Sequence, residues 1–341
     1  MEKQNLDWKN LGFGYRKTDK RYVSNYKDGK WDDGCLTENA DVVINESAGV
    51  LHYCQTCFEG MKAYTTKDGH VVVFRPDLNA ARMADSARRL EIPVFPEDRF
   101  VDAVDKVVKA NLSFVPPYGT GAALYIRPVL FATGSVMGVK PADEYQFRIF
   151  AAPVGPYFKN GGASSLVLKV SDFDRSAPHG TGHIKAGLNY AMSLYPIVKA
   201  HEEGLNENLY LDPQTRTKVE ETGGANFFFV TKDNTVVTPK SASILPSITR
   251  RSLMTLAKNL GYNVEEREVY LSELKDFAEC GLCGTAAVVS PVGKVNDHGT
   301  EIVFENSKNG FGPVSKKLYD TLTGIQFGEI EAPEGWIKVI E

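Results

Sequence analysis

The sequence predicts an α/β protein of two lobes, and three observations predict it. The chain has 341 residues, roughly two domains at a typical size of about 150 residues each. Strand-like and helix-like runs alternate along it. Residues 154–165, VGPYFKNGGASS, collect glycine, proline, asparagine and serine between the apolar runs FRIFAAP and LVLKV, the composition of an interdomain linker. The expected division is a domain over 1–153, a connecting loop over 154–165 and a second domain over 166–341. Such domains are expected to meet in a cleft, where small ligands usually bind.

In the first domain, VVVF at 71–74 reads as a buried strand and residues 79–90 as a helix carrying Arg and Ala. Val101, Val104, Val107, Val108 and Leu112 recur at helical spacing and predict a helix over 100–112, and the glycine-bounded apolar run 122–131 predicts a strand. In the second domain, 166–170 reads as a strand. Leu188, Ala191, Met192, Tyr195 and Val198 line one face of a predicted helix that Gly204 ends. Residues 209–212, 227–230 and 286–289 read as short strands, and 248–260 as an amphipathic helix closed by Gly261.

Composition narrows the class of function. Apolar residues make up 43% and charged residues 24%, which excludes collagen-like, low-complexity and wholly disordered chains. Thirty-nine Lys and Arg against 43 Asp and Glu leave a net charge of −4, too balanced for capture of nucleic acid by phosphate neutralisation. A small-molecule substrate is expected instead, with no nucleic-acid or membrane partner. Residues 1–10 lack the apolar core of a secretory signal, and no run approaches about 20 apolar residues. Five cysteines, an odd number, argue against a disulfide framework. The expectation is a soluble cytoplasmic chain.

Three segments carry residues suited to chemistry. Lys185 lies in HGTGHIKAGLNY (179–190), between glycine-rich turns and a helix start. A lysine desolvated there becomes a nucleophile toward an aldehyde and forms a Schiff base, although a solvated lysine would leave the same trace. In VEETGGANFFFV (219–230), two carboxylates precede a double glycine that permits a tight turn and close approach to a flat ligand. Glu220 or Glu221 could then meet a cationic ring nitrogen, while a soluble hairpin end reads alike. SILPSITRR (243–251) opens a helix whose amides at Ser247, Ile248 and Thr249, with the Thr249 hydroxyl, form a candidate phosphate cradle; an ordinary capped helix shares that signature. Arg75, leaving the VVVF strand in FRPDLN, is the natural countercharge, though a surface ion pair is the usual fate of such an arginine. A reactive lysine, an acid for a ring nitrogen, a helix start and an arginine are together what pyridoxal phosphate requires.

Read in order, the motifs LHYCQTCFEGMKAY, FRPDLNAARM, LYIRPVL, VMGVKPADEY, GPYFKNGG, GTGHIKAGLNY, EETGGANFF, ILPSITRR and CGTAAVVSPV span most of positions 10–330. With them the chain resembles the fold type IV pyridoxal phosphate enzymes and, among these, the branched-chain amino acid aminotransferases of the longer subgroup. The resemblance implies a smaller N-terminal α/β domain (α+β in some schemes) and a larger C-terminal pseudo-barrel α/β domain carrying the lysine. Pyridoxal 5'-phosphate would lie in the interdomain cleft. It implies reversible ping-pong transfer of the amino group from L-leucine, L-isoleucine or L-valine to 2-oxoglutarate, giving the 2-oxo acid and L-glutamate. By motif, Lys185 matches the Schiff-base lysine, which also acts as base, and Tyr190 the tyrosine bonded to the cofactor's phenolic oxygen. Glu221, rather than Glu220, matches the ring-nitrogen carboxylate, and Arg75, Ile248, Thr249 and Thr285 the phosphate site. Thr285 and Ala286 resemble the β-turn whose amides take the substrate α-carboxylate. Tyr125 and Arg127, two apart on one strand face, resemble the pair that binds carboxylates, including the distal one of glutamate.

Phe13, Tyr53, Phe58 and Tyr157 match the aromatics around the branched side chain, and Met137, Gly138 and Val139 the loop that reaches a neighbouring subunit's pocket, which implies a homodimer. Core packing would account equally for Phe58 and Met137. The pairs Cys54/Cys57 and Cys280/Cys283 lie more than 200 residues apart, too far for one zinc ribbon, so buried structural thiols and no metal are expected. The redox pair of some animal members falls here on Ala287 and Ser290, so that regulation does not carry over. Two competing readings are another fold type IV enzyme, such as a D-amino acid aminotransferase or aminodeoxychorismate lyase, and a thiol or metal-binding module built on the cysteine pairs.

Overall fold

A computed structural model describes residues 2–155, 157 and 164–341, so most of the expected linker 154–165 lies outside the described residues. The chain is mixed α/β with two sheets and divides into two compact units. Unit 1 holds Met1–Pro156, Ile184–Gly187 and Gly324–Glu341, and unit 2 holds Tyr157–His183 and Leu188–Thr323. This differs from a division at 153 and 166 because two later segments join the first. The strand Ile337–Val339 pairs with Val71–Phe74, and Ala186 bridges Cys57. Lys185 therefore sits in unit 1 rather than with the domain expected over 166–341.

Among the described residues, unit 1 is built on nine antiparallel strands. Ile337–Val339, Val71–Phe74, Met61–Thr65, Ala123–Ala132, Tyr145–Val154, Arg21–Lys27 and Lys30–Trp31 lie in that order, with Thr56–Phe58 added to Ala123–Ala132 and Cys35–Thr37 to Arg21–Lys27. Strand alternation gives the sheet two chemically different faces. Leu124, Ile126 and Leu130 join Phe147 and Ile149 in one core with Phe100, Val104, Val107 and Val108 of the helix Glu97–Ala110. Tyr125 and Arg127, the intervening residues, are only half-buried. The spacing expected for 100–112 holds to Ala110, and Leu112 is buried in a separate short turn.

Unit 2 carries a mixed sheet, eight-stranded among the described residues, in the order Glu207–Leu209, Leu166–Val170, Val288–Asp297, Glu279–Gly284, Asn226–Val230, Val236–Pro239 and Val264–Arg267, with Thr300–Val303 on Val288–Asp297. Its core collects Leu168, Phe227, Phe229, Leu282 and Val292. Gly281 is needed beneath the Phe228 ring, since a Cβ there would come within 2.3 Å of it. The expected strand 209–212 is Glu207–Leu209, followed by a lone bridge at Leu211. The strand expected over 286–289 starts at Val288, because Thr285, Ala286 and Ala287 form the turn before it. No helix among the described residues is long and apolar enough to cross a membrane.

The helix expected over 188–204 is corrected twice. It breaks at Ser193 into Gly187–Met192 and Leu194–Glu202, because Pro196 lacks an N–H and its ring displaces the carbonyl four residues earlier. Its apolar stripe is also not core. Met192, Leu194, Tyr195 and Val198 are at least half exposed, and Asn189, Pro196 and Ala200 are buried instead.

One helix face supports the residues of interest in unit 1. In Pro76–Arg89, where proline occupies the first turn, Asn79, Arg82 and Ser86 are spaced three and four apart and share a side. Arg82 forks onto Glu59 through two bonds of 2.7 Å, and Asn79 donates to the same carboxylate at 2.7 Å. The paired side chains are 7% and 0% exposed. Removing one partner of such a pair strands the other charge in the interior. Glu59→Ala should therefore lower unfolding free energy by about 3–5 kcal/mol, read from the urea midpoint; a loss near the ~0–1 kcal/mol of an exposed pair would contradict this role.

Candidate active site

Lys185 is held at both of its peptide groups. Its N–H donates to Ser86 Oγ at 3.0 Å, and its carbonyl accepts the Phe58 N–H at 3.1 Å. With Ala186 bridged to Cys57, the backbone is fixed and the side chain supplies the movement. Lys185 Nζ lies 4.8 Å from the centre of the Phe58 ring. The Arg127 guanidinium lies 4.8 Å from that same ring and 5.2 Å from the Tyr125 ring, distances at which a cation is attracted to an aromatic face. Arg127 also donates to Tyr125 Oη at 3.2 Å. Gly60 makes room for that hydroxyl, since a Cβ there would lie 2.1 Å from it. Phe13 meets Tyr125 edge-on at 5.1 Å. Lys185, Phe58, Arg127, Tyr125 and Phe13 thus form one cluster, and the last three of these border a cavity of about 560 Å³.

Other expected residues of unit 1 stand elsewhere. Tyr53 donates to the Met137 carbonyl at 2.5 Å, and Met137 and Val139 are 87% and 89% exposed, so they do not pack in the core of their own unit. Arg75 adopts a left-handed conformation (φ 47°) where the strand turns into Pro76–Arg89, and its guanidinium lies 4.4 Å from the centre of the Trp336 ring.

In unit 2, the two candidate glutamates separate. Glu220 accepts the hydroxyls of Ser241 and Ser243. Glu221 instead meets Arg175 at 2.8 Å, accepts the Leu245 N–H at 2.8 Å, and accepts Asn226 Nδ2 at 2.6 Å. Both members of the Arg175–Glu221 pair are almost wholly buried, at 2% and 3% exposure. The spacing from Glu221 to Asn226 follows from a tight turn: these two residues pair across it, while Thr222 Oγ1 accepts the Ala225 N–H at 2.9 Å. Arg175 was missed in the sequence, where it is one arginine among the charges of SDFDRSAPHG.

The helix Ile248–Asn259 begins with Ser247 as its cap, which corrects the expected cradle. The Ser247 N–H is already given to Leu245 O, and Ser247 receives the N–H groups of Arg250 and Arg251 through Oγ and O. Of the donors that a helix start leaves open, those of Ile248 and Thr249 remain without a partner among the described residues. Thr285 and Ala286 lie on the turn between Glu279–Gly284 and Val288–Asp297. That turn is followed by Val288 at φ 57°, a strained conformation for a β-branched residue. Tyr190 is half-buried on Gly187–Met192, and Tyr157 is exposed. Of the cysteines, Cys57, Cys280 and Cys283 are buried, but Cys54 is exposed, because it caps the surface helix Gly49–Tyr53 in a left-handed conformation. Burial pushes the Cys283 thiol up to about 12 and raises those of Cys57 and Cys280 as well, so these three are poor nucleophiles and ligands.

These residues fit a phosphorylated cofactor with a cationic ring. Two helix-start amides are oriented for an anion, and the Glu221 carboxylate is held by Arg175, the Leu245 N–H and Asn226. A Cβ at Gly224 would meet nothing within 4 Å, leaving space beside the turn for a flat group. Asn226 Oδ1 is buried with no partner.

Comparison with known proteins places this arrangement. The sequence pattern of amino-transferase class IV matches residues 56–295. A branched-chain-amino-acid aminotransferase of Haemophilus influenzae is 53% identical over 344 residues, covering 99% of this chain and 100% of that one. The crystal structure of the Escherichia coli branched-chain amino acid aminotransferase is similar at a TM-score of 0.81 and 29% identity, covering 95% of this chain and all of that one. A crystal structure of the T.th. branched-chain amino acid aminotransferase with pyridoxamine 5'-phosphate is similar at a TM-score of 0.79 and 26% identity, covering 96% of this chain and all of that one.

A buried acid lies behind the Glu221 turn. Glu207 accepts the backbone N–H groups of Asn208 and Gly223, and burial pushes its carboxyl from 4.5 up to about 7. Between those values the folded chain holds a proton that the unfolded chain has released, so stability falls as pH rises through them. The loss is about 3 kcal/mol on going from pH 4.5 to about 8. Urea unfolding of Glu207→Gln should lack this component of the pH dependence; a slope identical to that of the unsubstituted chain would contradict it.

Proposed function

The chain belongs to the amino-transferase class IV family, and on that premise we propose that Lys185 is the amine on which its reaction turns. The reaction is the reversible, ping-pong exchange of an amino group between L-leucine, L-isoleucine or L-valine and 2-oxoglutarate. Pyridoxal 5'-phosphate is the cofactor and supplies a conjugated ring able to hold the electron pair released at the substrate α-carbon. Glu221, anchored by Arg175, Leu245 and Asn226, holds the ring nitrogen's proton. Ile248, Thr249, Thr285 and Arg75 bind the phosphate, and Tyr190 the phenolic oxygen. Lys185 Nζ would hold the cofactor's aldehyde, and it is the general base for the proton on the substrate α-carbon.

Substrate recognition is divided between an apolar wall and a cationic rim. Phe13, Tyr53, Phe58 and Tyr157 take the branched side chain, and the Thr285–Ala286 turn takes the α-carboxylate. Arg127, steadied by Tyr125, takes the distal carboxylate when glutamate or 2-oxoglutarate is bound. The chain works as a cytoplasmic homodimer in this reading. Its five free thiols suit a reducing compartment. Met137 and Val139, apolar and almost fully exposed on a loop tied to Tyr53, supply with Gly138 the contact to a second subunit's pocket.

The observation that carries this reading is the fixed backbone of Lys185, with its amine beside the Phe58 and Arg127 cluster. Absorbance of the purified protein should show a yellow band that bleaches with L-leucine and returns with 2-oxoglutarate. Lys185→Ala should reduce leucine turnover by about 10²–10⁴-fold while unfolding at the same urea concentration. A protein that takes up no pyridoxal phosphate, or undiminished turnover in the variant, would overturn the reading.

A further inference from the structure

The sheet face that carries Arg127 carries two further arginines, both of them buried. Arg127 stands opposite Phe150 and Val129 opposite Arg148, so Arg148 lies diagonally from Arg127 on the neighbouring strand. Val23 stands opposite Arg148 in turn, which puts Arg21, two residues before Val23, on the same face. All three arginines border the same cavity of about 560 Å³, together with Asp41, the one carboxylate among its lining residues.

These two added cations are held in place but not neutralised. Arg148 donates to the carbonyls of Asn39, Ala40 and Asp41, and Arg21 to those of Glu38 and Thr18. None of the three guanidiniums forms an ion pair among the described residues, and Nε of both Arg127 and Arg148 is buried without an acceptor. Burial, and after it the charge of Arg21, holds the Arg148 guanidinium below its usual range. A carbonyl orients a guanidinium without cancelling its charge, so the cavity keeps a positive field that buried surroundings screen weakly.

We propose that Arg148 is a specificity-determining residue: its charge, bound in no ion pair and reinforced by Arg21, favours the dicarboxylate substrate at Arg127 over the monocarboxylate one, without touching either. This deepens the reading of Arg127 as the site of the distal carboxylate and rests on it. The diagonal spacing of neighbouring strands is about 7–8 Å. One unit charge at that distance, in an effective dielectric between that of a protein surface and water, changes anion binding by about tenfold. The branched side chain is neutral and should not respond. Asp41 works in the opposite direction.

Calorimetric binding of two unreactive acids to the holoenzyme tests this: glutarate, which has the second carboxylate, and 4-methylpentanoate, which has a branched end instead. Arg148→Gln should weaken glutarate by about tenfold and leave 4-methylpentanoate within about twofold, with the KM values for 2-oxoglutarate and 4-methyl-2-oxopentanoate moving in parallel. Arg148→Lys, which keeps the charge but loses the fork onto residues 39–41, should restore glutarate binding. Asp41→Asn should tighten glutarate a few-fold. That side chain is exposed and accepts no hydrogen bond among the described residues, so this variant decides alone should Arg148→Gln not fold. Equal weakening of both acids by Arg148→Gln without rescue by Arg148→Lys, or unchanged glutarate binding in Asp41→Asn, would overturn the proposal. Arg127→Gln, measured alongside, separates that failure from failure of the parent reading: if it too leaves the preference for glutarate over 4-methylpentanoate unchanged, the reading of Arg127 fails.

Discussion

The rest of the structure depends on how the main chain is held around Lys185. Residues 184–187 leave the sequence neighbourhood of unit 2 and join unit 1, where Ser86, Phe58 and Cys57 engage the peptide groups on either side. Ser86 stands on the same helix face as Asn79 and Arg82, which bind Glu59, the residue after Phe58. The lysine and the aromatic beside its amine are thus referred to one helix. The role proposed for Lys185, accepting and returning a proton, needs such a support, because an error of about 1 Å in placement weakens catalysis severely.

Two buried ion pairs serve this scheme differently. Arg82–Glu59 joins the helix Pro76–Arg89 to the residue that follows the strand Thr56–Phe58. Arg175–Glu221 fixes a carboxylate within a turn, so that the oxygens of Glu221 are held rather than mobile. Isolated pairs of this kind seldom stabilise a fold more than apolar packing would, so their value here is orientation. Basicity alone would not identify the reactive amine. Lys62 is buried, and burial lowers its ammonium to about 8, a range suited to nucleophiles. It pairs in register with Tyr125 on the same sheet. What distinguishes Lys185 is its held backbone and its place after two glycine turns and before a helix start.

Much of this was legible in the residues, and the exceptions have physical causes. The apolar run VVVF, the glycine-bounded apolar run 122–131 and the glycine after 248–260 report local geometry, and each element formed near its expected bounds. The pairing of Tyr125 with Arg127 follows from strand alternation. Partners brought together by tertiary structure left no local trace. Arg175 is 46 residues from Glu221 in sequence, and Arg148 looks like any outward strand arginine until its neighbours across two strands are known. The stripe from Leu188 to Val198 shows how apolar periodicity can mark an uncovered surface rather than core, and Pro196 broke the helix that the stripe implied. The glycine-rich turn left Glu220 or Glu221 as the expected ring-nitrogen acid and the resemblance favoured Glu221; the structure gives the two glutamates different partners.

The most direct test of the account is where the cofactor is attached. The yellow holoenzyme is reduced with borohydride, digested, and its peptides are weighed by mass spectrometry. The account predicts one pyridoxyl phosphate group per chain, on the peptide bearing Lys185. Attachment at Lys62 or another lysine, or no attached group in protein that still transaminates leucine, would contradict it.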